Sequence, residues 1–202
     1  AVGKEYAFST DTEIYVYCVP TGECKRIEMD GGYDTDPVWS PDGKHIAWLS
    51  MERQGYESDK SRIFVQDIEI SENSFEFGER RELTSSFKYN AAGLVWTADS
   101  KGLYFNSLAE GLQGLFLASL DGGIVRLTGD DLWYDFDSPW AVVEGEDGAV
   151  SLLASYCSMD FPTELVRVDV SSEGTSLTPI TSENEHILSQ IKDHKTEMRY
   201  VK

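Results

Sequence analysis

The stretch Pro37–Ser50, "PVWSPDGKHIAWLS", is written again fifty-seven residues later as "LVWTADSKGLYFNS", Leu94–Ser107. Trp39 answers to Trp96, Asp42 to Asp99, Lys44 to Lys101, Ile46 to Leu103 and Ser50 to Ser107. A beheaded third copy, "GKEYAFS" at Gly3–Ser9, fits over "GKHIAWL" at Gly43–Leu49. The repeated unit has a physical grammar. "VW" and "HIAWLS" or "LYFNS" are short runs rich in β-branched and aromatic residues, each too short for an ordinary helix. Between them "SPDGK" and "TADSK" set Asp beside Gly or Ser, the chemistry of a tight turn. Each unit therefore opens with a β-hairpin.

A second hairpin follows in every unit. Ile14–Met29 turns at "PTGE", Gly114–Thr128 turns at "DGG", and Glu164–Thr181 turns at "SSEGTS". In the second unit "RIFVQDIEI" is expected to run through a long acidic loop to a strand at Arg80–Ser85. Three units close on Leu83–Thr84, Leu127–Thr128 and Ile180–Thr181. Two hairpins per unit make a four-stranded antiparallel sheet, recurring about every 45 to 57 residues, which is the pattern of β-propeller blades. The fold expected is all-β: a partial β-propeller spanning 1–188, of about four four-stranded blades at 1–30, 31–85, 86–129 and 130–182. The first blade is incomplete. "SFEFGERREL" lacks a 3.6-residue period and carries Gly78, so it is not read as a helix.

The bulk numbers narrow the functions. Of 202 residues, 41% are hydrophobic and 26% charged, which suits a globular chain. Lys and Arg total 17 against 36 Asp and Glu, giving a net charge of −19. Such a surface repels phosphate backbones and anionic headgroups, so neither nucleic acid nor a membrane is an expected partner. No apolar run reaches the ~20 residues of a membrane helix. Cys18 and Cys24 flank the first hairpin turn, where a cross-strand bridge is sterically conceivable, but the simpler reading of all three cysteines is small buried apolar residues. His45, His186 and His194 are too scattered for a metal cluster, and no cofactor is expected.

"YDTDP" at Tyr33–Pro37 returns as "YDFDSP" at Tyr134–Pro139, each placed just before an innermost strand. Asp34, Asp36, Asp135 and Asp137 are a candidate acidic cluster for a cation or an amino group. The competing reading makes them inter-blade turn residues, since oxygen-ligand sites usually need six or more donors in a tight loop. Trp39 and Trp96 read as inter-blade core because they repeat at equivalent positions.

This wording resembles the propeller of the prolyl oligopeptidase family of serine peptidases, in its dipeptidyl-peptidase IV-like branch. "WSPDGKHIAWLS" is shared with TolB-like propellers. "SMERQGYESDKSRIFVQDIE", Ser50–Glu69, looks like a blade insertion of bacterial members. "MDFPTELVRVDV" followed by "ITSENEHIL" is similar to the final blade, and "SQIKDHKTEMRYVK" at 189–202 looks like a linker strand toward an α/β-hydrolase domain. The resemblance implies a piece of a longer, periplasmic or secreted enzyme. Its propeller restricts access to, and helps position, peptide substrates for the hydrolase domain.

The chemistry itself is missing from these residues. No Gly-x-Ser-x-Gly elbow occurs, and no Glu-Glu dipeptide of the kind that holds a substrate amino terminus in that branch. No catalytic residue is assigned. The alternatives are a TolB-like periplasmic interaction module and a histidine-metal lyase propeller, the latter disfavoured by three dispersed histidines. An open arc of blades also leads to an expected homodimer through its terminal blades.

Overall fold

The computed structural model describes residues 10–29, 32–129, 133–137, 139–144, 149–171, 174–191, 197, 199 and 201. The Gly3–Ser9 copy and most of the 189–202 linker lie outside the described residues. The chain is all-β, an arc of antiparallel propeller-type sheets. The first sheet pairs β1 (Tyr15–Tyr17) with β2 (Cys24–Arg26). The second is the meander β3 (Tyr33–Trp39), β4 (His45–Met51), β5 (Arg62–Ile70) and β6 (Phe75–Glu82). The third runs β7 (Ala92–Trp96), β8 (Gly102–Ala109), β9 (Leu112–Ser119) and β10 (Ile124–Arg126). In the fourth, β11 (Asp135–Phe136) and β12 (Ala141–Glu144) both pair β13 (Val150–Cys157), followed by β14 (Glu164–Ser171) and β15 (Gly174–Pro179).

The repeated residues build repeated geometry. Gly43 and Ser100 hold the same turn position, with φ of 71° and 59°, where a glycine avoids the left-handed penalty. Asp42 and Asp99 each accept the backbone N–H two residues on, from Lys44 and Lys101, at 3.0 Å. The first strand of each full sheet breaks at one place. Register shifts between Thr35 and Val38, and between Ala92 and Val95, with Asp36 (φ 53°) and Gly93 (φ 62°) as the left-handed residues. In the fourth sheet the break is wider and separates β11 from β12.

Side chains alternate across each strand, so a strand between two neighbours must be apolar on both faces. That is why "IAWL" and "LYF" read as unbroken apolar runs. Ile46 and Trp48 pack with Ile14, Val16 and Ile27 of the first sheet. Ala47 and Leu49 face the third sheet with Ile63 and Val65, against Trp96, Leu103 and Phe105. Tyr104 turns the other way, joining Leu115 to Phe136, Leu152 and Val166 of the fourth sheet. Thus, among the described residues, the two middle sheets carry apolar clusters on both faces, and each terminal sheet contributes to one.

Three expectations need correction. Trp96 is core at 6% exposure, its indole N–H donating to the Val38 carbonyl at 3.1 Å, but Trp39 is 46% exposed. The described part of the first sheet covers Ile46, Trp48, Ile68 and Phe75 and stops short of Trp39. The outer strand of the second sheet begins at Phe75 rather than Arg80, leaving only Ser71–Ser74 as the turn. Phe75 enters the core, and Gly78 lets Asp67 approach where a Cβ would lie 3.1 Å from the Asp67 Cβ. Finally, Glu185–Leu188 forms a single helical turn, α1, before the tail.

The cysteines are separated by strand parity. Cys24 stands opposite Tyr17, and Cys18 opposite Glu23, so Cys18 and Cys24 point to different faces of the hairpin. Both remain thiols, as does Cys157, but none is buried as expected: Cys24 is exposed and Cys18 and Cys157 are half-buried. The intact mass is expected to be identical before and after reduction. A gain of two protons would contradict the assigned register.

Candidate functional site

Strand direction sorts the loops onto two rims. One rim receives the Ser40–Lys44 and Thr97–Lys101 turns together with the Ser71–Ser74 and Asp121–Gly123 turns, all tight. The opposite rim receives the 52–61 and 158–163 loops, the tight Glu110–Gly111 turn and the connections between successive sheets. Three cavities open on that second rim. Asp11, Thr12, Glu13, Arg26 and Asp34 line one of about 170 Å³. Glu52, Asp59, Lys60, Arg62, Glu82 and Ser85 line another of about 370 Å³. Gln113, Asp135, Asp137, Tyr156, Cys157 and Thr163 border a third of about 280 Å³. Binding residues gather on loops held by a rigid scaffold, and here the scaffold puts the longer loops and these hollows on one side.

Of the four carboxylates of the sequence reading, Asp34, Asp135 and Asp137 border cavities on this rim, and the four do not converge. Asp34 is buried in β3, and its backbone carbonyl accepts the Thr12 hydroxyl at 2.6 Å. Asp36 sits exposed in the strand break. Two sheets away, exposed Asp135 accepts the Gln113 backbone N–H at 2.8 Å and ties the fourth sheet to the third. Asp137 is exposed, its N–H donating to the Ser155 carbonyl at 3.0 Å. Asp34, Asp36 and Asp135 thus lie within first strands, not in turns ahead of them as their spacing suggested. Pro37 supplies no N–H and promotes the break there. Among the described residues, no three His, Cys, Asp or Glu side chains gather to hold a metal.

The second cavity is framed by the Ser50–Glu69 insertion. Arg53 clasps Asp59 through Nε at 2.9 Å and lies over the Tyr56 ring at 4.0 Å, folding the loop on itself. That ion pair holds the Asp59 carboxyl below the ordinary carboxylate range. Lys60 donates to the carbonyls of Thr84 and Phe87, both at 2.9 Å, and ties the loop to the outer strand.

One arrangement was invisible in the sequence. His45 Nδ1 lies 2.8 Å from Asp67 Oδ1, which also accepts Arg81 at 2.6 Å, while the imidazole stacks on Trp96 at 5.9 Å. A His–Asp pair invites a catalytic reading. Its ring, however, is spent on packing between the second and third sheets, on the rim of tight turns. Only the register His45↔Asp67 reveals the pair.

The closing Leu-Thr and Ile-Thr dipeptides are clasps. Thr84, Thr128 and Thr181 accept the backbone N–H groups of Ile63, Leu115 and Leu165 at 2.9, 3.1 and 2.8 Å. Leu83, Leu127 and Ile180 donate back to the carbonyls of those same three residues. In the fourth sheet Glu164 joins in, accepting the Thr181 hydroxyl and both the backbone and side-chain N–H of Asn184. These bonds hold the Glu164 carboxyl low, so its support is present at neutral pH and fades as acid protonates it. The "PTEL…ITSEN" wording is therefore structural. Thr84→Val is expected to cost about 1–3 kcal/mol in urea unfolding, because it strands the buried Ile63 N–H. A cost within error of zero would remove the clasp from the account.

Stacked antiparallel sheets, repeated clasps and one indented rim define the class: an arc of β-propeller blades. No family model matches the chain. Over 99% of its length it is 36% identical to dipeptidyl-peptidase 5 of Porphyromonas gingivalis. Over 98% it is 39% identical to dipeptidyl-peptidase 5 of Porphyromonas endodontalis. The chain spans 27% of the length of each. A puromycin hydrolase crystal structure superposes with a TM-score of 0.55 at 16% identity, over 78% of this chain and 23% of that one, and shares the fold. The chain is thus homologous from end to end to a segment of the dipeptidyl-peptidase 5 proteins.

Proposed function

We propose that this chain is the propeller portion of a dipeptidyl-peptidase 5-type serine exopeptidase of the periplasm or extracellular space. It restricts access to, and helps position, short peptides for an α/β-hydrolase domain of the same longer protein. The end-to-end identity to dipeptidyl-peptidase 5 carries this reading. The rim geometry supports it, because a surface that meets substrate needs hollows and adjustable loops. Bond cleavage belongs elsewhere, since no nucleophile elbow occurs in the sequence.

The test compares the two rims within the intact peptidase. Asp137→Lys, on the indented rim, is expected to change kcat/KM for dipeptidyl substrates severalfold. Asp121→Lys, a matched exposed change on the opposite rim, is expected to leave it unchanged. Equal effects from both would contradict the reading.

A further inference from the structure

Asp34, Ser50 and Arg62 stand directly opposite one another across β3, β4 and β5. They therefore share one face of the second sheet, the face that also carries Trp48 toward the first sheet. Four atoms of this group, Asp34 Oδ1, Ser50 Oγ, Trp48 Nε1 and Arg62 Nε, are buried and make no hydrogen bond within the chain. The Ser50 hydroxyl and Trp48 N–H face the Asp34 carboxylate closely enough to favour its charged form, yet neither reaches hydrogen-bond geometry. Burial outweighs them and pushes the Asp34 carboxyl up; Asp11 adds to that rise and Arg62 opposes it. The third sheet shows what a closed row looks like. There Ala91 replaces the carboxylate, Gly114 pairs with Ser107, and the Ser107 hydroxyl is satisfied by the Asn90 carbonyl at 2.6 Å.

We propose that the Asp34–Ser50–Arg62 row, with Trp48 beside it, is an internal hydration site whose bound water bridges the carboxylate to the indole and guanidinium. The donor set selects the ligand. Trp48 and Arg62 present N–H groups only, which repel a metal cation, and Asp34 repels an anion. Water alone among small ligands donates to the carboxylate while accepting from both N–H groups, and buried water typically makes about three such bonds. Natural proteins rarely leave four such atoms unpaired in one place. The inference rests on this geometry and is independent of the proposed function.

Water–protein NOE and ROE spectra of the 202-residue chain test it, with water itself as the probe. The Trp48 indole proton, assigned through Trp48→Phe, is expected to show a cross-peak to water with the sign of a long-lived contact. The Trp96 indole, committed to Val38, serves as the control without one. Asp34→Ala, which copies Ala91 of the third sheet, is expected to abolish the Trp48 peak. Ser50→Ala is expected to keep it, excluding relay through an exchanging hydroxyl. Absence of the wild-type peak, or its loss in Ser50→Ala, would overturn the site. If Asp34→Ala does not fold, the wild-type contrast between Trp48 and Trp96 decides alone.

Discussion

Phe105→Ala is expected to lose about 3–5 kcal/mol of unfolding free energy, the range for emptying a buried aromatic site. Phe105 is fully buried in the cluster between the second and third sheets. Its ring stacks on Phe116 at 5.4 Å and meets the edge of Phe87 at 5.5 Å. These neighbours sit on β9 and the connection into the third sheet, so they have little room to collapse into the void. Leu108→Ala, on the same strand but exposed, is the control and is expected to cost within about 0.5 kcal/mol. Comparable costs would mean that the sheets do not stack face to face as described.

Self-association is the second large effect we propose. Each terminal sheet contributes to one apolar cluster where the middle sheets contribute to two. Tyr15 and Tyr17, on the outward face of the first sheet, are 56% and 59% exposed, and Trp39 and Trp140 are also open. Open sheet faces and edges recruit other chains. Sedimentation equilibrium at micromolar concentration is therefore expected to report a species near twice 22.6 kDa. Tyr15→Lys combined with Tyr17→Glu is expected to shift it toward monomer. A monomer at every concentration would reject the association.

What the sequence made legible is what repetition and turn chemistry encode. Trp39 and Trp96 mark the same strand position, and Gly43 and Ser100 adopt the same left-handed turn because Asp-Gly and Asp-Ser both fit it. The closing threonines signalled unit ends before their hydrogen bonds were known. Burial was less legible, since it depends on what the neighbouring sheet covers. Identical tryptophans end with very different exposures for that reason. The candidate carboxylates share a motif, yet Asp34 and the Asp135–Asp137 pair border separate cavities because they belong to different sheets. Asp36 does at φ 53° what Gly93 does at φ 62°, and within "YDTDP" only Pro37, which supplies no N–H, points to it. His45–Asp67 and the Asp34–Ser50–Arg62 row needed cross-strand register, which spacing along one strand does not contain.

We propose that this chain shapes access for peptide hydrolysis without performing it. Incubating the purified 202-residue chain with dipeptidyl chromogenic substrates tests that most directly, alongside labelling by a serine-reactive fluorophosphonate. The account predicts no turnover above buffer and no covalent label. Turnover that survives repurification, accompanied by stoichiometric labelling of one serine, would contradict it.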